Sequence, residues 1–297
     1  MSTGGEPKRR ASPAVEGALL LTVFFFGTNF TAVKVVVDSV PPILFAATRF
    51  TLAGLLLLLF VPFLGRENRL RREDFLAVLG LGIVGITLTQ TVFTLGVSLT
   101  TAANTALVYS TAPVWGMLLG FALGLERPRF AGILGIALSL TGVGFIVYGG
   151  LEFAGTSLVG DSLILVAAVF WGTYTVLSLS LLARYSPIAL AAYAMTLGGL
   201  AAFPLAALEP GGFGAGPMDG LTWGAAAYSA LCSSAFGFAA WGWGVSHVGA
   251  NRVLIHQYLV TLTGVTTGIV LLGEDFGLGQ ILGAAVILCG VYLARRR

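Results

Sequence analysis

The chain has 297 residues, 57% of them hydrophobic and 10% charged, with a mean hydropathy of +0.93. A soluble domain carries about 25% charged residues, so this chain cannot clothe a water-facing surface and reads as an all-α polytopic membrane protein. Its net charge of +3 is spread over short loops and chain ends rather than gathered in a patch, which argues against a nucleic-acid partner.

The first 13 residues, MSTGGEPKRRASP, form a polar, basic tail. The apolar run behind it is too long for a signal-peptide core and lacks a convincing cleavage site, so it is expected to stay as the first span. A crossing takes roughly 20 apolar residues. On that measure ten spans follow at 14–37, 41–63, 75–98, 102–124, 129–149, 158–183, 187–208, 221–245, 250–272 and 277–294. Pro41, Pro42 and Pro187 open helices, where a missing N–H costs little. Cys232 and Cys289 both fall inside apolar runs and suggest neither a disulfide nor a metal cluster.

Charge gives the orientation. Lys8, Arg9, Arg10, Arg66, Arg69, Arg71, Arg72, Arg127, Arg129, Arg184, Arg252 and the terminal Arg295, Arg296 and Arg297 make up fourteen of the sixteen basic residues. All lie in the tails and the even-numbered loops. The odd loops carry Asp38, Glu152, Asp161, Glu209, Asp219, Glu274 and Asp275. Both termini are therefore expected in the cytoplasm, with the chain crossing the inner (plasma) membrane many times. Every loop is short and no GxxxxGK[ST] motif occurs, which leaves no room for an ATP-driven pump within this chain.

The sequence repeats. ANTALVYST at 103–111 parallels ANRVLIHQY at 250–258, and GVS at 96–98 returns at 244–246. ILGIALSLTGVGF at 133–145 returns as ILGAAVILCGVYL at 281–293, and FGTNFTAV at 26–33 parallels WGTYTVLS at 171–178. The order is kept, with offsets of about 145–148. Each copy holds five spans, an odd number, so the second copy must enter the bilayer from the opposite side. Inverted repeats of this kind are characteristic of secondary transporters. The expected division is a cytoplasmic tail at 1–13, a first five-helix repeat at 14–149, an external linker at 150–157, a second, inverted repeat at 158–294 and a basic end at 295–297.

FGTNFTAVK in span one, PPILFAATRF in span two, STAPVWGMLLG in span four followed by Glu126, and the duplicated five-span unit together resemble the EamA family of the drug/metabolite transporter superfamily. The resemblance covers residues 14–294. It implies a ten-helix inverted-repeat transporter of small metabolites, often amino acids and their derivatives and often outward. It also implies a passage lined by spans one, three, four, six, eight and nine.

Interior polar residues are the candidate site, because lipid offers them no partner. Aligned on the shared Ala-Asn, His256, Gln257 and Tyr258 correspond to Tyr109, Ser110 and Thr111. Tyr109 and His256 each lie ~9–10 Å inside their own membrane face, at ~1.5 Å per residue, and would look into one passage from opposite sides. The plainer reading of His256 is an imidazole packed against a neighbouring hydroxyl. Asn29 and Tyr174 occupy equivalent places, as do Phe26 and Trp171; Gln90 is deep in span three. Asn29, Gln90, Tyr109, Trp171, Tyr174, His256, Gln257 and Tyr258 are therefore the expected substrate-binding residues.

Lys34 and Arg49 are the two basic residues within spans, expected as gating or structural charges. Lys34 can snorkel outward. Arg49 either meets a substrate carboxylate or a gate partner, or anchors the outer third of the bundle. Pro113 should kink span four; Val260 stands at the matching place in span nine, so the two need not bend alike. The glycine stripes of spans four, five, nine and ten are read as close helix packing. Asp161, Glu126, Glu274 and Glu16 lie at span ends, so the usual carboxylate relay of a proton pump is missing from the spans.

These observations point to a secondary transporter of small metabolites, most of all amino acids, working by alternating access without a cofactor or metal. Its expected partners are a small-molecule substrate and the lipid bilayer. A membrane-embedded enzyme is the rival from another class. It would need a catalytic set, and no HExxH, GxSxG or paired interior Asp occurs, while Ser233 and Ser234 have no base nearby in sequence.

Overall fold

The computed structural model of the chain describes residues 12–124, 130–150, 158–275 and 277–295. Lys8, Arg9, Arg10, Glu126, Arg127, Arg129, Glu152, Arg296 and Arg297 lie outside the described residues. All regular structure among the described residues is helical. The helices are α1 (Pro13–Val37), α2 (Pro42–Leu58), α3 (75–99), α4 (Ala102–Ala122), α5 (Phe130–Gly150), α6 (Leu158–Leu182), α7 (Pro187–Leu208), α8 (220–248), α9 (250–272) and α10 (Leu278–Arg295). Five stretches are long and apolar enough to cross a membrane: Pro13–Val37, Arg66–Leu99, Ala102–Ala122, Leu158–Leu182 and Pro187–Leu208.

Local chemistry sets the ends. Ser12, Thr101, Ser186 and Asp219 cap α1, α4, α7 and α8 by accepting from N–H groups three residues on, at 3.3, 3.1, 3.3 and 2.8 Å. The backbone and side-chain donors of Thr222 hold the Asp219 carboxyl below its ordinary range. The largest departure from the expected spans is the second, read as 41–63. α2 stops at Leu58, and Val61–Leu64 is a 3-10 turn. Pro62 has no N–H to continue the ladder and disfavours helix in the residue before it.

Two carboxylates close helix ends across long sequence distances. Glu209 accepts from Ile43 N at 3.0 Å and Leu44 N at 3.3 Å, at the start of α2. Glu274 accepts from Ala102 N at 2.6 Å and Ala103 N at 2.7 Å, at the start of α4. Each satisfies donors that a helix leaves unpaired and sits at the positive end of its dipole.

The packing partners come in matching sets. α1 lies against α8 and α9, and α6 lies against α3 and α4; α2 runs along α7, and α5 along α10. Close approach occurs where side chains are missing. A β-carbon at Gly54 would lie 2.5 Å from Thr196 N, and one at Gly199 would lie 2.5 Å from Thr51 Oγ1. Gly54 and Gly199 stand 145 residues apart, as do Thr51 and Thr196, so the contact is reciprocal. Because 54 meets 196 while 51 meets 199, α2 and α7 run antiparallel. In the same way a β-carbon at Gly142 would meet Gly283 O at 2.7 Å and one at Gly290 would meet Gly135 O at 2.6 Å, so α5 and α10 are antiparallel too. Small residues matter here because lipid supplies no hydrophobic drive between helices, and van der Waals contact must hold them.

The surface is the reverse of a soluble protein's. Phe63, Leu76, Leu208 and Leu262 are exposed, while Thr22, Thr89, Thr94, Asn104, Thr105 and Gln257 are buried. Apolar faces outward and polar atoms inward are what a bilayer solvent demands.

Candidate functional site

The helices converge on a central hollow between the two halves of the chain. α1 supplies Phe26, Asn29 and Phe30; α2 Arg49 and Phe50; α3 Gln90 and Phe93; α4 Tyr109; α6 Trp171; α8 Ser233 and Phe238; α9 Gln257 and Val260. Its free space for water-sized spheres is about 40 Å³, where one water needs ~10–15 Å³ by that measure. That is room for a few waters and too little for a metabolite.

Irregular backbone brings the polar groups in. α3 and α8 each contain a π-helical stretch, Ile83–Leu88 and Ser229–Gly237. The two occupy matching places in their halves, as the GVS repeat at 96–98 and 244–246 shows. Such wide turns are frequent at functional sites. α4 is broken at Ser110–Thr111 and α9 at the 3-10 turn Leu254–His256. Pro113 lies in the first turn of the second piece of α4. α9 is interrupted without a proline about one turn ahead of the matching place, so both helices are broken in the same region.

Arg49 is the polar centre. It is 2% exposed, and it donates from Nη1 to Ser229 Oγ and from Nη2 to Gln90 Oε1, both at 2.8 Å. Ser229 Oγ in turn donates to Asn29 Oδ1 at 2.6 Å. The guanidinium carbon lies 4.5 Å from the Phe50 ring centre and 5.2 Å from that of Phe45. Arg49 Nε, Trp171 Nε1 and both amide atoms of Gln257 are buried without a protein partner.

Aromatic rings form the rest of the wall. Trp171 stacks on Tyr174, with centroids 5.4 Å apart at 19°, and meets Phe238 edge-on at 5.1 Å. Tyr109 meets Phe93 at 5.3 Å and Phe30 at 6.2 Å. Such tilted and edge contacts are the preferred ring geometry.

Of the residues expected from sequence, Asn29, Gln90, Tyr109, Trp171 and Gln257 line the hollow. Tyr174 is buried behind Trp171. Tyr258 and His256 are half-buried and do not line it; His256 Nδ1 lies 3.2 Å from Val253 O within its own turn. One residue along a helix rotates the side chain by about 100°, and it is Gln257, the counterpart of Ser110, that faces inward. Arg49, expected to meet a substrate carboxylate or a gate partner or to anchor the bundle, sits in the hollow itself. Lys34 does not: its Nζ donates to Val97 O at 3.0 Å and Thr100 O at 2.8 Å, closing the end of α3. Beside it the buried Asp161 accepts from Thr100 Oγ1 at 2.7 Å and Asn104 Nδ2 at 3.2 Å.

The sequence reading missed Ser229, Phe30, Phe50 and Phe93, and of α2 it singled out Arg49 alone. It noted Phe26, Ser233 and Val260 without assigning them to the site. Phe238 had a usable signal, since it stands 148 residues from Gln90, the offset of the GVS repeat. Ser229 had none, because only the π-helical stretch aims it at Arg49. Ser233 lines the hollow, but no His, Asp or Glu is among the described lining residues.

A helical bundle with an apolar exterior and a buried polar hollow defines a multi-pass membrane protein. The model of the EamA-like transporter family matches residues 15–148 and again residues 158–296, and the chain belongs to that family. It is 28% identical over 279 residues to an uncharacterized transporter of Archaeoglobus fulgidus, covering 94% of this chain and 98% of that one. It is 30% identical over 280 residues to a probable terminal-alkyne amino-acid exporter of Streptantibioticus cattleyicolor, covering 94% and 93%. A solved crystal structure shares the fold, with a TM-score of 0.69 at 20% identity over 96% of this chain and 98% of that one.

Proposed function

We propose that the chain is a secondary transporter of small carboxylate-bearing metabolites, amino acids and related compounds among them, and that it exports them by alternating access. Its two repeats, 14–149 and 158–294, are related by a two-fold axis in the membrane plane. Both termini face the cytoplasm of the plasma membrane. Three features support the inverted arrangement: the double match to one family model, the matched sets of packing partners, and the antiparallel run of α2 against α7 and of α5 against α10. Such a pair can exchange conformations and so expose a central site to either side in turn.

The observation that carries the function is the hollow between the repeats, where Arg49, Gln257 and Trp171 hold polar atoms that no protein group satisfies. Buried polar atoms cost free energy unless paired, and a ligand that pairs them recovers it. An amino-acid carboxylate matches the guanidinium. The family and the named exporter at 30% identity favour the same reading.

The test is counterflow in proteoliposomes preloaded with each of a panel of unlabelled metabolites, amino acids and amine-free carboxylates included, with the same compound radiolabelled outside. Uptake above protein-free vesicles for at least one compound is expected. No uptake across the whole panel sinks the proposal.

A further inference from the structure

Arg49 places an unbalanced charge in the hollow. Its described partners are the neutral oxygens of Gln90 and Ser229, and no Asp or Glu is among the described lining residues. The two ion pairs among the described residues, Arg71–Glu73 and Arg184–Asp74, lie elsewhere. A buried guanidinium without a counter-charge is among the most unfavourable arrangements in an apolar medium.

The remaining unpartnered atoms lean the same way. Arg49 Nε and Trp171 Nε1 are donors, and Gln257 offers one donor group and one acceptor. Phe26, Phe30, Phe50, Phe93 and Phe238 make up most of the other walls. The hollow is thus a donor-rich, singly positive pole facing an aromatic chamber.

We infer that this site takes organic monocarboxylates with an apolar body and no free amine, bound as anions against Arg49, in preference to the zwitterionic amino acids of the same skeleton. The inference rests on the transporter reading and narrows its substrate. Charge decides it. A monoanion beside Arg49 makes the occupied hollow neutral. A zwitterion brings no net charge, so it leaves the guanidinium uncompensated overall and adds an ammonium within a few ångströms of it. Gln257 Oε1 can take one hydrogen bond from that ammonium but supplies no negative charge. Aromatic faces attract a cation, yet Arg49 already stands over the ring of Phe50, and two cations in one low-dielectric chamber repel. A dianion overshoots in the other direction. Deaminated and N-acylated amino acids both meet the requirement.

The test is binding to the full-length protein in detergent, read by titration calorimetry and thermal shift at neutral pH. Binding is the better readout because protonated carboxylic acids cross bilayers unaided. The probes are L-phenylalanine, 3-phenylpropionate, N-acetyl-L-phenylalanine and phenethylamine, with L-leucine and 4-methylpentanoate as an aliphatic pair. Each amine-free carboxylate is expected to bind at least tenfold more tightly than its zwitterion, and phenethylamine not to bind. Arg49→Gln should abolish that preference. Arg49→Lys, which keeps the charge but loses the planar fork, should weaken the anions while keeping their order over the zwitterions. Equal or tighter binding of the amino acids overturns the inference and leaves the transporter standing, as does a panel in which neutral or cationic metabolites alone bind. Failure of the transporter reading shows separately, as absence of counterflow for every compound.

Discussion

Arg49 in α2 and Ala194 in α7 occupy matching places in two aligned segments, PILFAATRF at 42–50 and PIALAAYAM at 187–195. Around them the halves agree: Gly54 meets Thr196 as Gly199 meets Thr51. In the hollow they part. Asn29 is matched by Tyr174, Gln90 by Phe238 and Ser110 by Gln257, while Arg49 has only a methyl group opposite it. The frame contacts stayed paired because close helix approach tolerates no large side chain on either partner. The lining residues carry no such constraint, and the first half came to hold the charge and five of the seven aromatic residues of the hollow, while the second supplies Trp171, Phe238, Ser233 and the amide of Gln257. A ligand in such a site meets a guanidinium from one half alone, so it has one favoured orientation.

Moving the charge to the other half breaks that comparison most severely. Ala194 is fully buried, and its carbonyl oxygen would lie 2.6 Å from a β-carbon at Gly82. Ala194→Arg therefore buries a guanidinium against packed backbone with no hollow to receive it. The expected cost exceeds ~4 kcal/mol, the range of an unpaired buried charge, and size-exclusion of a fluorescent fusion should show little monodisperse protein. If Arg49→Ala combined with Ala194→Arg folds and binds like the parent, the two places are interchangeable and the asymmetry has no functional weight.

The frame itself can be sharpened by a matched pair. Gly54→Leu and Gly199→Leu each drive a side chain into the neighbouring threonine's backbone or hydroxyl. Each is expected to destabilise by about 1–3 kcal/mol, as overpacking does, and by similar amounts, read as melting temperature in detergent. A large effect at one glycine with none at its counterpart would mean that the reciprocal contact is not shared by the two halves.

Gln90 tests the polar pole more gently. Gln90→Leu removes the acceptor of Arg49 Nη2 and leaves a second donor of that guanidinium unsatisfied. A cost of about 1–3 kcal/mol is expected. Ser229→Ala should cost less, near ~1 kcal/mol, because the small hydroxyl leaves room for water to replace it. Equal stability of both variants and the parent would show that Arg49 is held by its aromatic neighbours rather than by its hydrogen bonds.

Much of this was legible in the sequence. Hydropathy and charge punctuation place the helices of the described residues, α2 apart, within a few residues of where they lie, because proline, glycine or charge bounds each apolar run. The second span was overextended because Phe60, Val61, Pro62 and Phe63 are apolar enough to pass for helix, and only the proline objects. The site was legible where polarity is out of place, as at Asn29, Gln90 and Tyr109. It was illegible at Phe30, Phe50 and Phe93, since a phenylalanine facing a hollow and one facing lipid look alike in an apolar run. It misled at His256, where chemical interest pointed to the histidine and helix rotation presents its neighbour Gln257. The π-helical stretches were beyond reach, because a helical period of 3.6 does not foresee a widened turn.

The smallest effect is expected at the most conspicuous residue of span four. α4 breaks at Ser110–Thr111 three residues ahead of Val114, and Pro113 stands at the start of the helical piece that follows. There its missing N–H removes no bond that the helix needs. α9 is also broken in this region, at Leu254–His256 about one turn earlier, and carries Val260 at the place of Pro113, so an interruption here does not depend on proline. Pro113→Val should accordingly change stability by less than ~1 kcal/mol, with the melting temperature and ligand affinities close to the parent's. A gain approaching ~3 kcal/mol, the cost that proline imposes inside a continuous helix, would mean that Pro113 alone holds α4 open and that the two halves break for different reasons.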